Sequence, residues 1–181
     1  MRRLGLVFMA AVVAGCGIPF DVAPEAVEVE VAAVAEAGGH FLGDLAAVSI
    51  YLVRDASLVN VTRDLPAPST LEIVFDSLLS PVTEPEQRSG LRTAIPRATE
   101  VLAIDEEGAT LQVDLSQEFA AVGGEEEVLA VAQIVMTATS IEGIELVAFR
   151  LGGVPTDVPV ANGALSDDPV GAEDYVSLIA P

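Results

Sequence analysis

Cys16 is the only thiol in the chain, and its neighbours indicate its use. Arg2 and Arg3 open the sequence, an apolar run fills residues 4–14, and Val13, Ala14 and Gly15 stand directly before the cysteine. A branched apolar residue, two small residues and a cysteine make up a bacterial lipobox. The apolar run is too short for a hydrocarbon core, which needs about 20 residues. It therefore reads as the h-region of a secretory signal peptide rather than a membrane span. An ordinary cleaved leader with a chance cysteine is the competing reading. The small residue at Gly15 and the placement of a sole cysteine both favour the lipobox. Residues 1–15 are thus expected to be removed, Cys16 to carry a diacylglyceryl group, and the chain to sit on the extracytoplasmic face of the cell membrane.

The remaining residues offer little reactive chemistry. His40 is the only histidine and lies beside Gly38 and Gly39. A nucleophile–histidine–acid triad would have to use it, and no partners stand out, so it reads as a loop residue. No nucleophile elbow, phosphate-binding loop or paired-histidine zinc motif occurs, so no cofactor, metal site or catalytic residue is assigned. Carboxylates are abundant. Asp105, Glu106 and Glu107 fit a turn, Glu125, Glu126 and Glu127 a helix start, and Asp167 and Asp168 a solvated tail. Such clusters could serve a carboxylate-dependent envelope hydrolase or bind a hard cation such as calcium, although the EF-hand spacing is absent. A pocket holding two or more carboxylates with perturbed pKa would favour that alternative, and acids spread over the outer face would favour a binding module.

Charge narrows the partners. Eight basic residues face 28 acids, for a net charge of −20. All eight are arginine, and Arg2 and Arg3 leave with the leader. An acidic chain without lysine argues against nucleic acid, whose phosphates need clustered cations. It argues equally against electrostatic docking on anionic lipid. Membrane attachment then falls to the acyl chains at Cys16, each buried CH₂ contributing about 0.8 kcal/mol. The expected partner is an envelope protein. With Cys16 lipidated no free thiol remains, which excludes disulfides and thiol nucleophiles.

Hydrophobic periodicity gives the scaffold. Residues 16–45 read as a lipidated tether, residues 46–176 as the folded module and residues 177–181 as a tail. Residues 48–53 and 58–63 read as a strand pair turning at Arg54, Asp55 and Ala56. Ser69 stands three residues before Glu72, a capping-box spacing. Leu71, Val74, Phe75, Leu78 and Leu79 then mark an amphipathic helix, stopped by Pro81. A polar surface loop follows to Gly90. Residues 99–104 and 109–115 form a second hairpin. Three glutamates complement the dipole of a second helix, with Val128, Val131, Ala132, Val135, Met136 and Thr139 as its buried stripe and Gly143 as its stop. Residues 144–151 and 154–160 read as a last strand pair around Gly152 and Gly153. The order ββαββαββ implies an α/β chain of the α+β type. It would be a two-layer sandwich, one mixed or antiparallel sheet carrying both helices on one face.

Several segments together resemble the GerMN domain of sporulation and spore germination proteins. They are Gly90-Leu91-Arg92-Thr93-Ala94-Ile95-Pro96, then Val113-Asp114-Leu115-Ser116 with Phe119, then Ala132-Gln133-Ile134-Val135-Met136-Thr137. Val147-Ala148-Phe149-Arg150-Leu151-Gly152-Gly153 is similar to the family's last hairpin, and Asp174-Tyr175 to the end of its pattern. Met136 replaces a frequent aromatic, which bears on packing. The resemblance implies a non-enzymatic module in a secreted or lipid-anchored envelope protein, present here as a single copy. It implies a binding or assembly role, with links to sporulation, germination or envelope signalling.

Overall fold

The computed structural model describes residues 44–180. The lipobox and His40 lie outside them. The described residues begin with a hairpin of two ten-residue strands, β1 (Leu45–Arg54) and β2 (Ser57–Pro66), paired antiparallel throughout. It turns at Asp55, whose φ is +54°. Ile50 and Leu52 alternate into the core along β1 and are fully buried.

Helix α1 (Leu71–Leu79) buries Val74, Phe75 and Leu78, the stripe that the periodicity predicts. Its N-cap differs from expectation. Thr70 holds that position, and the Ser69 hydroxyl donates instead to the Pro66 carbonyl at 2.9 Å. A capping box occurs one helix later, in the segment expected to be a polar loop. There α2 (Glu84–Arg88) starts at Thr83, whose hydroxyl accepts from the Glu86 N–H while the Glu86 carboxylate accepts from the Thr83 N–H. Pro85 suits this first turn, where its missing N–H costs nothing.

The larger sheet is mixed. β3 (Val101–Glu107) pairs antiparallel with β4 (Thr110–Leu115), and β4 pairs parallel with β5 (Leu146–Leu151). Leu111, Val113 and Leu115 alternate inward along β4 and are all fully buried, whereas Gln112 and Asp114 on the other face are half-buried. The sheet is thus packed on one face, as an α+β layer requires. The far edge of β5 is divided between two short strands. β6 (Val154–Pro155) pairs with Arg150 and Leu151, and β9 (Val170–Gly171) pairs with Leu146 and Val147. Gly152 and Gly153, with φ of +57° and +82°, make the two-residue turn into β6. This left-handed pair is the geometry that a tight hairpin favours.

A 3₁₀ turn (Gln117–Ala121) leads to α3 (Glu125–Ala138), which begins at Gly124 with φ +65°. Every residue from Leu129 to Ala138 is buried. A surface helix buries one stripe. This one touches the β1–β2 hairpin, β5, β9 and the strand Val158–Pro159, so it is enclosed all round. The expected stripe understates this, and Val128 and Thr139 at its ends are only half-buried.

Two further expectations are corrected. The strands form three sheets rather than one: β1–β2, the five-stranded β3–β4–β5–β6 with β9, and a small pair of β7 (Val158–Pro159) with β8 (Leu165–Ser166). Residues 154–160 accordingly do not form one strand along β5, since the chain leaves that edge after Thr156, whose N–H reaches the Phe149 carbonyl at 3.1 Å. The simple order ββαββαββ is interrupted by α2 and by the splitting of the C-terminal strands. The mixed α+β class itself agrees with the structure. Residues at the C-terminus also dock. Tyr175 is fully buried and its hydroxyl donates to the Pro159 carbonyl at 2.9 Å. Ile179 bridges Leu58 on β2, where the Ala180 N–H reaches the Leu58 carbonyl at 2.8 Å.

Candidate functional site: family motifs and an acid-lined groove

The segments singled out in the sequence meet one another in space. Gln133, fully buried on α3, donates through Nε2 to the Tyr51 carbonyl at 2.9 Å. Its Oε1 accepts from the Ala94 N–H at 2.6 Å. One turn further, the Thr137 hydroxyl oxygen accepts from the Tyr51 N–H at 3.1 Å. Positions four apart share a helix face, so this pair grips both backbone groups of one β1 residue. Val53, two residues on, exchanges N–H and carbonyl bonds with Arg92, both at 2.8 Å. The Ser140 hydroxyl reaches the Ser49 carbonyl at 3.3 Å. The outer edge of β1 is therefore closed by α3 and by the segment at Arg92. That is the physical reason why the hairpin does not extend the larger sheet: an edge whose polar groups are paired cannot add another strand.

The other motifs are also bonded to backbone. The Asp114 carboxylate accepts from the Gly153 N–H at 3.0 Å, fixing the β5–β6 turn. Arg150 donates to Gln112 at 3.1 Å and to the Gly153 carbonyl. The Ser116 hydroxyl accepts from the Glu100 N–H at 3.0 Å.

Among the described residues, three carboxyls have pKa values held below the usual range, on three separate elements, and none of the three lines the groove beside Glu125, Glu126 and Glu127. At Glu86, burial pushes the carboxyl up, but hydrogen bonds from Arg63 and Thr83 and the Arg63 charge outweigh it and hold it below the usual range. The Thr70 hydroxyl, with the residue's own N–H, lowers exposed Glu72, and the Ser116 hydroxyl does the same for exposed Glu118. A general acid working near neutral pH needs the opposite shift. Asp105, Glu106 and Glu107 lie exposed at the end of β3, and Asp167 and Asp168 lie exposed in the loop before β9. No cluster of three or more His, Cys, Asp or Glu with metal-binding geometry occurs among the described residues.

Of the three acidic clusters singled out in the sequence, Glu125, Glu126 and Glu127 border a groove. A groove of about 600 Å³ is lined by them, by Asp55 and Arg92, and by apolar residues including Leu129, Pro159, Leu165 and Leu178. Arg92 forms a two-pronged ion pair with Glu126, both contacts at 2.7 Å. The pair is close to half exposed on both sides, so it contributes about 0–1 kcal/mol. Sequence reasoning assigned the glutamates to the helix start and missed the groove, because Asp55, Pro159, Leu165 and Leu178 reach it from distant segments. Cys16, Val13, Ala14 and Gly15 lie outside the described residues.

Comparison with known proteins places this architecture. The sequence model of the Germane family, described as sporulation and spore germination, matches residues 44–157, more than half of the chain. The chain belongs to this family. No curated protein matches it. Among solved structures, the tandem GerMN domains of the sporulation protein GerM from Bacillus subtilis align with a TM-score of 0.58 at 23% identity, covering 72% of this chain and 47% of that one. The chain thus spans about half the length of that tandem structure. The first GerMN domain of the same protein gives a TM-score of 0.54 at 25% identity, with 71% and 98% covered. A Clostridium perfringens structure described as a lipoprotein gives 0.50 at 17% identity, with 77% and 95% covered. The GerMN fold is therefore the fold of the described residues, and the domain is a sporulation- and germination-type domain.

Proposed function

We propose that this chain is a lipid-anchored, extracytoplasmic GerMN lipoprotein that acts as a non-enzymatic binding or assembly module in the cell envelope. One observation carries the reading. The polar side chains of the GerMN-like motifs are bonded to backbone or to one another. Gln133 and Thr137 hold Tyr51, Asp114 holds Gly153, and Arg150 holds Gln112 and Gly153. They build a rigid module and contribute no nucleophile–base pair. The lipobox sequence at Cys16 and the structural likeness to a Clostridium perfringens chain described as a lipoprotein support anchoring. The likeness to the sporulation protein GerM supports a role in sporulation or germination. An anchored module with a large negative charge resists non-specific contact with other acidic surfaces, which suits selective protein binding.

Turnover is the test. Purified protein is incubated with envelope polymer and with generic ester, phosphate and peptide substrates. The expected result is no turnover above the buffer rate. Turnover that disappears on substitution of a particular carboxylate would establish the envelope hydrolase instead.

A further inference from the structure

A binding module needs a binding face, and the groove between the hairpin tip and α3 has the chemistry of one. Val128, Leu129, Pro159, Leu165 and Leu178 give it an apolar lining. Leu165 is 69% exposed, and Val176 and Ile179, chain neighbours of Leu178, are 61% and 36% exposed. Exposed aliphatic side chains rimmed by polar residues mark an interaction site.

Charge selects the occupant. Asp55, Glu125 and Glu127 line the same groove and have no cationic partner among the described residues, whereas Glu126 is matched by Arg92. The start of α3 contributes about half a positive charge, well short of three carboxylates. An acidic segment would be repelled. A second copy of this chain, with its own net charge of −20, would be repelled as well. Arginine and lysine combine an aliphatic stem with a cationic head, so they satisfy lining and rim together. We propose that the groove binds a basic, aliphatic-rich segment of a partner protein. Its cationic heads pair with Asp55, Glu125 and Glu127, and its aliphatic side chains cover Leu165 and Leu178. This assignment rests on the binding-module reading and names the face and the partner's chemistry.

The probe is a labelled twelve-residue peptide of alternating arginine and leucine, titrated into the full chain in detergent. In one control peptide glutamate replaces arginine, and in the other serine replaces leucine. The parent peptide should bind about tenfold more tightly than either control. The variant Asp55→Asn, Glu125→Gln, Glu127→Gln should lose about tenfold in affinity, and Leu165→Ser should also weaken binding. The variant Asp105→Asn, Glu106→Gln, Glu107→Gln removes as many acids outside the groove and should bind like the parent. Thermal melts confirm that each variant is folded, and the single substitutions replace any triple variant that is not. Equal loss in both triple variants reveals a general polyanion effect and overturns the proposal, as does equal affinity for the controls or no binding at all. In those cases the binding-module reading still stands if the chain crosslinks to a partner through another face. Carboxylate-dependent turnover would instead remove that reading.

Discussion

Gln133 on α3 and Tyr51 on β1 are joined by a hydrogen bond of 2.9 Å from the buried amide to a backbone carbonyl, across 82 residues of sequence. The same amide accepts from Ala94, so one side chain ties together the first hairpin, the Gly90–Pro96 segment and the central helix. Gln133→Leu keeps the bulk and removes both bonds. A buried polar group left unpaired costs about 1–3 kcal/mol, and here two are orphaned. Urea melts should show a loss of about 3 kcal/mol. A loss below about 0.5 kcal/mol would mean that the bond does not hold the hairpin.

Phe75 is fully buried on α1, and Glu72 on the same helix is exposed. Phe75→Ala should cost about 3–5 kcal/mol through lost burial and the cavity left behind. Glu72→Ala removes only an exposed side chain near the helix start and should cost far less. Equal stabilities in denaturant melts would show that the helix is phased wrongly.

The Arg63–Glu86 pair, at 2.9 Å with side chains 13% and 10% exposed, makes stability depend on pH. The folded state holds the Glu86 pKa below its ordinary value of about 4.3. The associated stability is therefore fully present above that value and is lost as pH falls through the folded-state pKa. Melts between neutral and acidic pH should show this loss, and Glu86→Gln should flatten it. Glu86→Ala at neutral pH strands Arg63 and should cost about 3 kcal/mol.

Tyr175 behaves oppositely at alkaline pH. Burial, and then the neighbouring Asp174 charge, push its hydroxyl well above the ordinary tyrosine value of about 10. The buried neutral form contributes stability below that value, and the contribution falls as pH rises above it. Tyr175→Phe should cost about 1 kcal/mol at neutral pH, for the lost bond to Pro159. It should also make the alkaline decline shallower in melts followed upward from pH 9.

Mass spectrometry of the mature N-terminus tests anchoring. The parent chain should begin at a diacylglyceryl-modified Cys16. Cys16→Ser should retain residues 1–15 and carry no lipid. An unmodified N-terminus elsewhere in the parent would contradict the lipobox reading.

Local physics made much of the fold legible. The Leu71–Leu79 periodicity gave the buried face of α1, and paired glycines gave the turn after Leu151. Nonlocal pairing was not legible. The periodicity of β1 does not reveal that its edge is closed by Gln133 and Thr137, so one sheet was expected where three exist. The α3 sequence is apolar on most sides, yet only the contacts show that strands enclose it. The groove was invisible for the same reason, because its walls come from residues between Asp55 and Leu178.

The most direct test of an anchored binding module is photo-crosslinking in intact cells, with a photoreactive residue replacing Leu165 at the groove. Leu102, 52% exposed on β3 and outside the groove, is the control position. The account predicts a discrete adduct with an envelope protein from position 165, little from position 102, and loss of the adduct when Cys16→Ser prevents anchoring. An adduct no stronger at 165 than at 102 would contradict the groove assignment, and no adduct from either position, or one unaffected by Cys16→Ser, would contradict the anchored binding module.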